Sequence, residues 1–298
     1  MNTTEFSIVM ITRNRGDDIR YALNSIKAVR YPADRFELIV VDNGSTDNTA
    51  EVVRRTLGDA PFNWNQESEG IKGICRARNR GARAAGRKWI MYIDDDAIIP
   101  SGWLSAYADA IAAYPGAAVF GGPAVLSPSI VRPWWWCSKF DLTMSCQDYG
   151  RELITYPEGA HPYGLNMVIR RDVLMRAGGF DTVLDDVLSS FADETELFIR
   201  LMKQGDQLVY VPGASVIHAV SQDRFNWKTY MSRCRLVGRS HAYLDCRHGM
   251  RFRRSLPRRM ASAMIEFCRF QTPAVFFQEL SAWSGYRGYL RESAGSGA

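Results

Sequence analysis

Nowhere does this 298-residue chain carry the ~20 consecutive apolar residues that a bilayer-spanning helix needs, so any membrane contact is expected at a surface. It has no secretory pattern at its N-terminus, and its six cysteines (Cys75, Cys137, Cys146, Cys234, Cys246 and Cys268) include no CxxC pair. That spacing argues against a disulfide framework and against a structural zinc site. A reducing, cytoplasmic setting is expected, with the inner face of the membrane as the nearest surface. Internal repeats and low-complexity tracts are absent; only Ser293 to Ala298, small and Gly/Ser-rich, reads as a disordered tail. No RNA or DNA motif is present, and a nucleic-acid partner is not expected.

What the chain does have is enough apolar residue content, 46%, for a substantial core. The expectation is one large α/β domain over residues 1–222, a helical basic extension over 223–292 and the tail 293–298. The net charge is only +5, but from Arg224 to Arg259 eleven Lys or Arg accompany one acid, Asp245. Such a block suits the phosphates of a nucleotide or of anionic lipids, and equally suits a solvated helical face.

Short apolar runs alternate with helical patterns. Phe6 to Ile11, Leu38 to Val41 and Trp89 to Ile93 read as buried strands, with a weaker one near Phe62 to Gln66. Helices are expected over Asp17 to Val29, Asp47 to Leu57 and Gly73 to Ala85. Further strands fall at Ala118 to Phe120, Asn166 to Ile169, Leu208 to Val211 and Ser215 to His218. A helix follows over Glu194 to Lys203, and helix dominates from Trp227 onward. Apolar strands without in/out alternation, separated by helices, indicate a mostly parallel sheet covered on both faces. Sites in such sheets lie beyond the carboxyl ends of the strands, which singles out Thr12-Arg13-Asn14-Arg15, Asp42-Asn43-Gly44-Ser45 and Asp94-Asp95-Asp96.

Three adjacent carboxylates at a strand end repel one another unless a cation or several donors neutralise them. Mg²⁺ or Mn²⁺ fits that oxygen-rich set; an acidic turn capping a helix has the same composition. Asp42 suits an Asx turn, or hydrogen bonds to a base edge or ribose. Arg76, Arg78 and Arg80 with Asn79 suit phosphates or a base, or form a solvated helix face. Asp193 and Glu194 suit a general base, or first-turn acids complementing a helix dipole. His218 is a metal ligand or a satisfied core histidine. Trp134-Trp135-Trp136 is an acceptor platform for sugar rings or the filling of a hydrophobic junction.

Taken in order, SIVMITRNR, LIVVDNGSTDNT, ARNRGARAAGRKWIMYIDDDA, GLNMVIRRDVLMRAGGFD, DETELFIRL and VYVPGASVIH resemble the family 2 glycosyltransferases, from about Phe6 to His218. The resemblance implies the nucleotide-sugar-binding fold called GT-A, with a helical C-terminal extension. It implies that Thr12, Arg13 and Asp42 line the nucleotide pocket and that Arg78 lies near base or diphosphate. The Asp94-Asp95-Asp96 run looks like the family's DxD motif, with Asp96 the main metal ligand, Asp94 and Asp95 nearer the donor, and His218 a further ligand. Gly122 and Asn166 would shape the sugar and acceptor pocket, with Trp135 beside them.

The family commonly writes Glu-Asp before Thr-Glu-Leu with the Asp as base; here the order is Asp193-Glu194, which leaves the choice between them open. The implied chemistry is one inverting displacement on a nucleoside-diphosphate sugar, assisted by Mn²⁺ or Mg²⁺, onto an acceptor hydroxyl of a saccharide, lipid-linked saccharide or small molecule. A QxxRW signature and membrane spans, the marks of processive members, are absent, so transfer of a single sugar in surface-glycan or glycoconjugate synthesis is expected. The basic tail, with Arg247, Arg251, Arg253, Arg254, Arg258 and Arg259 and aromatics Phe267, Phe270, Phe276 and Phe277, suits peripheral membrane contact. Packing on the domain or on a homodimer partner accounts for the same residues. The rival readings are a non-catalytic nucleotide-sugar-binding protein and a sugar nucleotidyltransferase. The latter is disfavoured because Thr12-Arg13-Asn14-Arg15-Gly16 stands where such enzymes carry a Gly-rich phosphate loop and a Lys.

Overall fold

The structure, a computed structural model, describes residues 4–188, 191–250 and 273–295. Eight strands form one sheet: β1 (Phe6–Thr12), β2 (Phe36–Asp42), β3 (Asn63–Ser68), β4 (Trp89–Asp94), β6 (Val119–Gly121), β8 (Ile154–Thr155), β9 (Met167–Arg170) and β10 (Leu208–Tyr210), in the order β3-β2-β1-β4-β9-β6-β10-β8. A second sheet of three short strands has the order β5 (Ala97–Ile98), β11 (Val216–His218), β7 (Ala124–Leu126). The helices are α1 (Ile19–Lys27), α2 (Thr49–Leu57), α3 (Ile74–Ala84), α4 (Trp103–Ala113), α5 (Arg171–Arg176), α6 (Val183–Val187), α7 (Asp193–Lys203), α8 (Trp227–His248) and α9 (Pro273–Gly295).

β1, β2 and β4 are buried along nearly their whole length, as strands covered on both faces must be, and they pair in parallel with β1 between the other two. α1 turns Ile19, Ala22, Leu23 and Ile26 to this core, with Ser25 buried beside them and bonded to the Ala22 carbonyl. The parallel order breaks once in mid-sheet. β9 lies between β4 and β6 and runs against both, pairing Tyr92 with Met167 and Gly121 with Met167. The residues leading into β9 therefore sit at the same end of the sheet as those leaving β4.

The chain divides into two compact units. The first comprises residues 1–127 and 145–220. The second comprises 128–144 and 221–298, so a segment with Trp134, Trp135 and Trp136, which sequence reading assigns to the first domain, belongs with the C-terminal helices. Its rings explain why: Trp136 packs on Phe140, Phe225 and Tyr230, and Trp135 on Trp227 and Tyr230. Within this unit α8 and α9 run side by side in the same direction, Tyr230 donating to Gln278 near one end and Arg239 pairing with Glu292 near the other. The helix carries on to Gly295, so Ser293 to Gly295, read from sequence as disordered, end α9. Arg251, Arg253, Arg254, Arg258, Arg259, Phe267 and Phe270 lie outside the described residues, as does the side chain of Phe276.

Candidate active site

Two acidic clusters meet the carboxyl end of the main sheet. The first begins where β4 ends in Asp94 and the chain turns through Asp95 and Asp96 into β5. β11 pairs antiparallel with β5, setting His218 opposite Ala97, and the Ala219 amide donates to the Asp96 carbonyl at 2.8 Å. His218 is thereby carried from the far end of the domain to within 3.2 Å of the Asp96 carboxylate, measured from Nε2 to Oδ1. One ligand atom each from Asp94, Asp96 and His218 lies within 4.8 Å of the others. Two carboxylates and an imidazole converging in this way fit a divalent cation, and the nitrogen donor suits Mn²⁺ better than Mg²⁺.

Arg15 completes this cluster, its Nε 2.8 Å from Asp95 Oδ1 and its Nη2 2.5 Å from Asp96 Oδ2. Burial pushes the Asp94 carboxyl up to about 6 and also raises Asp95, against the pull of Arg78 and Arg15 respectively. Burial works to lower His218, but its hydrogen bonds to Asp96 and Cys146 outweigh that and hold it up at about 10.

The second cluster stands at the N-terminus of α7, which follows Ala192 in the left-handed conformation. Arg78, buried on α3, sends Nη1 to the Asp193 carboxylate and Nη2 to Glu194 Oε1 at 3.0 Å, with its guanidinium 5.3 Å from the Phe180 ring centre. The Gly164 amide donates to the same Glu194 oxygen at 2.9 Å. Glycine is required there, since a Cβ would stand 1.8 Å from Arg78 Nη2 and 2.4 Å from Glu194 Oε1. The Asp193 side chain is 4% exposed and that of Glu194 17%. Burial raises Asp193 well above the carboxylate range in spite of Arg78. Burial acts on Glu194 in the same sense, but Arg78 and the hydrogen bond from Asp193 prevail and hold it down at about 2. One internal cation thus faces both carboxylates and favours the ionised form of Glu194, the more exposed of the two.

Beside these clusters in the sheet, Thr12 and Asp42 face each other in register at the ends of β1 and β2. Asp42 Oδ1 accepts from the Ser45 amide at 2.8 Å, so the Asx turn is real. A cavity of about 550 Å³ opens beside Asp42, lined also by Arg54, Trp64, Gln66 and Ser68. Asn43, in the run singled out from sequence but given no role there, pins the loop beyond β3 through Gly73, Glu69 and Ile71.

Several sequence candidates have other work. Asn166 is buried with its amide fully engaged: Nδ2 donates to the carbonyls of Pro123 and Ala214, and Oδ1 accepts from Trp103 Nε1 and the Tyr107 hydroxyl. No donor or acceptor is left for a sugar, so Asn166 ties backbone together. Gly122 abuts that same junction, where a Cβ would stand 2.3 Å from the Ala214 carbonyl. Trp135 fills the aromatic cluster of the second unit, and Arg78 faces the carboxylate pair. In the turn after β1, Asn14 is left-handed, with φ of 50°, and between its neighbours Arg13 is exposed while Arg15 reaches the carboxylates. Sequence reasoning selects Arg13 in that turn; only the backbone reversal identifies Arg15.

The described architecture matches solved structures at the level of the fold. A mannosyltransferase from Pyrobaculum calidifontis, solved with GDP-Man and Mn²⁺, superposes with a TM-score of 0.59 at 20% identity over 95% of this chain and 75% of its own. TarS of S. aureus, residues 1–349 with UDP-GlcNAc, gives 0.59 at 17% identity over 79% of this chain and 66% of its own. The fold is thus the GT-A fold of glycosyltransferases. The family model described as Glycosyl transferase family 2 matches residues 7–178, and the chain belongs to that family. Among curated relatives, a glucosyl-dolichyl phosphate glucuronosyltransferase of Haloferax volcanii is 26% identical over 237 residues, 76% of this chain and 73% of its own. The glycosyltransferase YibD of Escherichia coli is 30% identical over only 34% of this chain and 28% of its own length.

Proposed function

We propose that the protein moves one sugar from a nucleoside-diphosphate donor to an acceptor hydroxyl with inversion at the anomeric carbon. The observation that carries this reading is the pairing of a convergent Asp94, Asp96 and His218 set with a separate carboxylate, Glu194, ion-paired with Arg78. Asp94, Asp96 and His218 would hold Mn²⁺ or Mg²⁺, and the bound ion would supply charge neutralisation for the departing diphosphate. Arg15 keeps Asp95 and Asp96 oriented and adds a positive charge at the same end of the sheet.

The acceptor oxygen bonds to the anomeric carbon as the bond from that carbon to the diphosphate oxygen breaks. The acceptor proton passes to Glu194, and the bonding pair leaves with the nucleoside diphosphate. Glu194 takes the role rather than Asp193 because Asp193 is the more deeply buried of the two and burial favours its neutral form. Arg78 and the Gly164 amide fix the Glu194 carboxylate, so that little reorganisation accompanies proton transfer. Thr12, Asp42 and Asn43 frame the end of the sheet where the nucleoside would lie. The Haloferax relative acts on a lipid-linked sugar, which supports a role in glycoconjugate assembly and an acceptor presented near a membrane.

Titration calorimetry with UDP, GDP and dTDP, each with and without Mn²⁺, tests the donor side. Binding of one nucleotide that needs the ion and is lost in Asp96→Ala supports the reading. Absence of binding by the folded protein, or a product of retained anomeric configuration, defeats it.

A further inference from the structure

The second unit presents an exposed apolar and aromatic surface. Its 128–144 segment is firmly held: both backbone groups of Val131 bond to the Gln222 side chain at 2.9 Å, Arg132 pairs with Asp141 at 2.8 Å, and Trp136 Nε1 donates to Asp141 at 2.7 Å. From this anchored segment Trp134 projects with 88% of its surface exposed, whereas Trp136 is 8% exposed. Beside it Trp135 touches Trp227, with centroids 5.1 Å apart, and Trp227 touches Phe277 at 5.9 Å. Trp227 and Phe277 are themselves 39% and 41% exposed, so this chain of contacting rings reaches solvent at several points. Val131 and Leu280 add exposed aliphatic surface.

We infer that this face docks on the surface of an anionic lipid bilayer. Charge selects the occupant. Residues 128–144 and 221–298 carry 16 Lys or Arg against six Asp or Glu, while the rest of the chain carries 21 against 26. An apolar, aromatic face on a strongly basic unit complements lipid that offers both acyl chains and negative head groups. A second copy meeting the same face would bring two strongly basic units together, which like-charge repulsion opposes. A glycan would gain from the exposed tryptophans but not from Val131 and Leu280. No helix among the described residues is long and apolar enough to cross a membrane. Trp134 enters the interfacial region and the basic side chains meet the phosphates.

The test uses the full chain with sedimenting vesicles of phosphatidylcholine alone or enriched in phosphatidylglycerol. The protein is expected to pellet with the anionic vesicles only, and Trp134→Ser, with unchanged melting temperature, to weaken that partitioning by about tenfold. Vesicles with brominated acyl chains are expected to quench part of the tryptophan emission, and Trp134→Phe to remove that part. Failure to pellet with anionic vesicles overturns the inference, as does pelleting indifferent to Trp134→Ser. A dimer in solution that Trp134→Ser dissolves would give the face to a second copy instead. Nucleotide binding measured on the same samples is independent of all these outcomes, so failure here is separable from failure of the transferase reading.

Discussion

The two acidic clusters at the end of the sheet are built from the same materials, carboxylates and one arginine, and do opposite things with them. At the end of β4 and the turn after it, Asp94 and Asp96 converge with His218 of β11, and Arg15 reaches Asp96 and the neighbouring Asp95. At the start of α7, Arg78 sits inside the cluster, bonded to both Asp193 and Glu194. The first arrangement leaves ligand atoms facing one another, which suits capture of an external cation. The second supplies its own cation, which suits a carboxylate that must stay ionised and fixed while a proton arrives. Where the arginine stands decides which chemistry a handful of aspartates and glutamates can perform.

Substitutions can break that contrast, beginning with the largest expected effect. Asp96→Ala removes a ligand atom from the first cluster and should lower kcat by about 10⁴-fold, several kcal/mol of transition-state stabilisation. Metal-dependent nucleotide binding should vanish with it in calorimetry. Glu194→Gln keeps the shape of the second cluster but not its basicity, and a loss of about 10³ in kcat with nucleotide affinity intact is expected. Arg78→Met strips the internal cation. Activity should fall about 100-fold, by analogy with the loss of other positioning contacts. The acid limb of kcat/KM against pH should also move upward, because the positive charge that now holds Glu194 at about 2 is gone and the neutral acid gains. A limb that stays in place while activity falls would reduce Arg78 to a packing role. Asp193→Asn sharpens the comparison with the smallest effect, within about tenfold in kcat, since Glu194 carries the proton; a loss as deep as that of Glu194→Gln would transfer the role to Asp193.

Much of this was legible before any coordinates. β1, β2 and β4 announce themselves because a strand buried on both faces must be continuously apolar, and the polar turns that follow them lie at the carboxyl end of the sheet. Asp94, Asp96 and His218 come together although they are far apart in sequence, since β11 pairs with β5. Less legible were features that depend on direction. An apolar run does not say which way its strand runs, so the reversal at β9 is invisible in MVIR. Left-handed Asn14 decides between Arg13 and Arg15, and nothing in the composition of TRNR does. A polar residue type also says little about whether its groups face solvent or are consumed internally, as the side chain of Asn166 is. Trp135 is ambiguous for the same reason in reverse, an aromatic ring being equally at home in a pocket and in a cluster of other rings.

The reversed strand has a consequence for how the protein can be made. β4 keeps one flank bare until Met167 to Arg170 arrive some 70 residues later in synthesis. A fragment stopping before them would hold WIMYI with half its backbone ladder open, an apolar edge of the kind that recruits strands from other chains. Shortening the protein to its first four strands is therefore expected to give insoluble material, and the smallest well-behaved piece must extend through β9 and the strands that flank it.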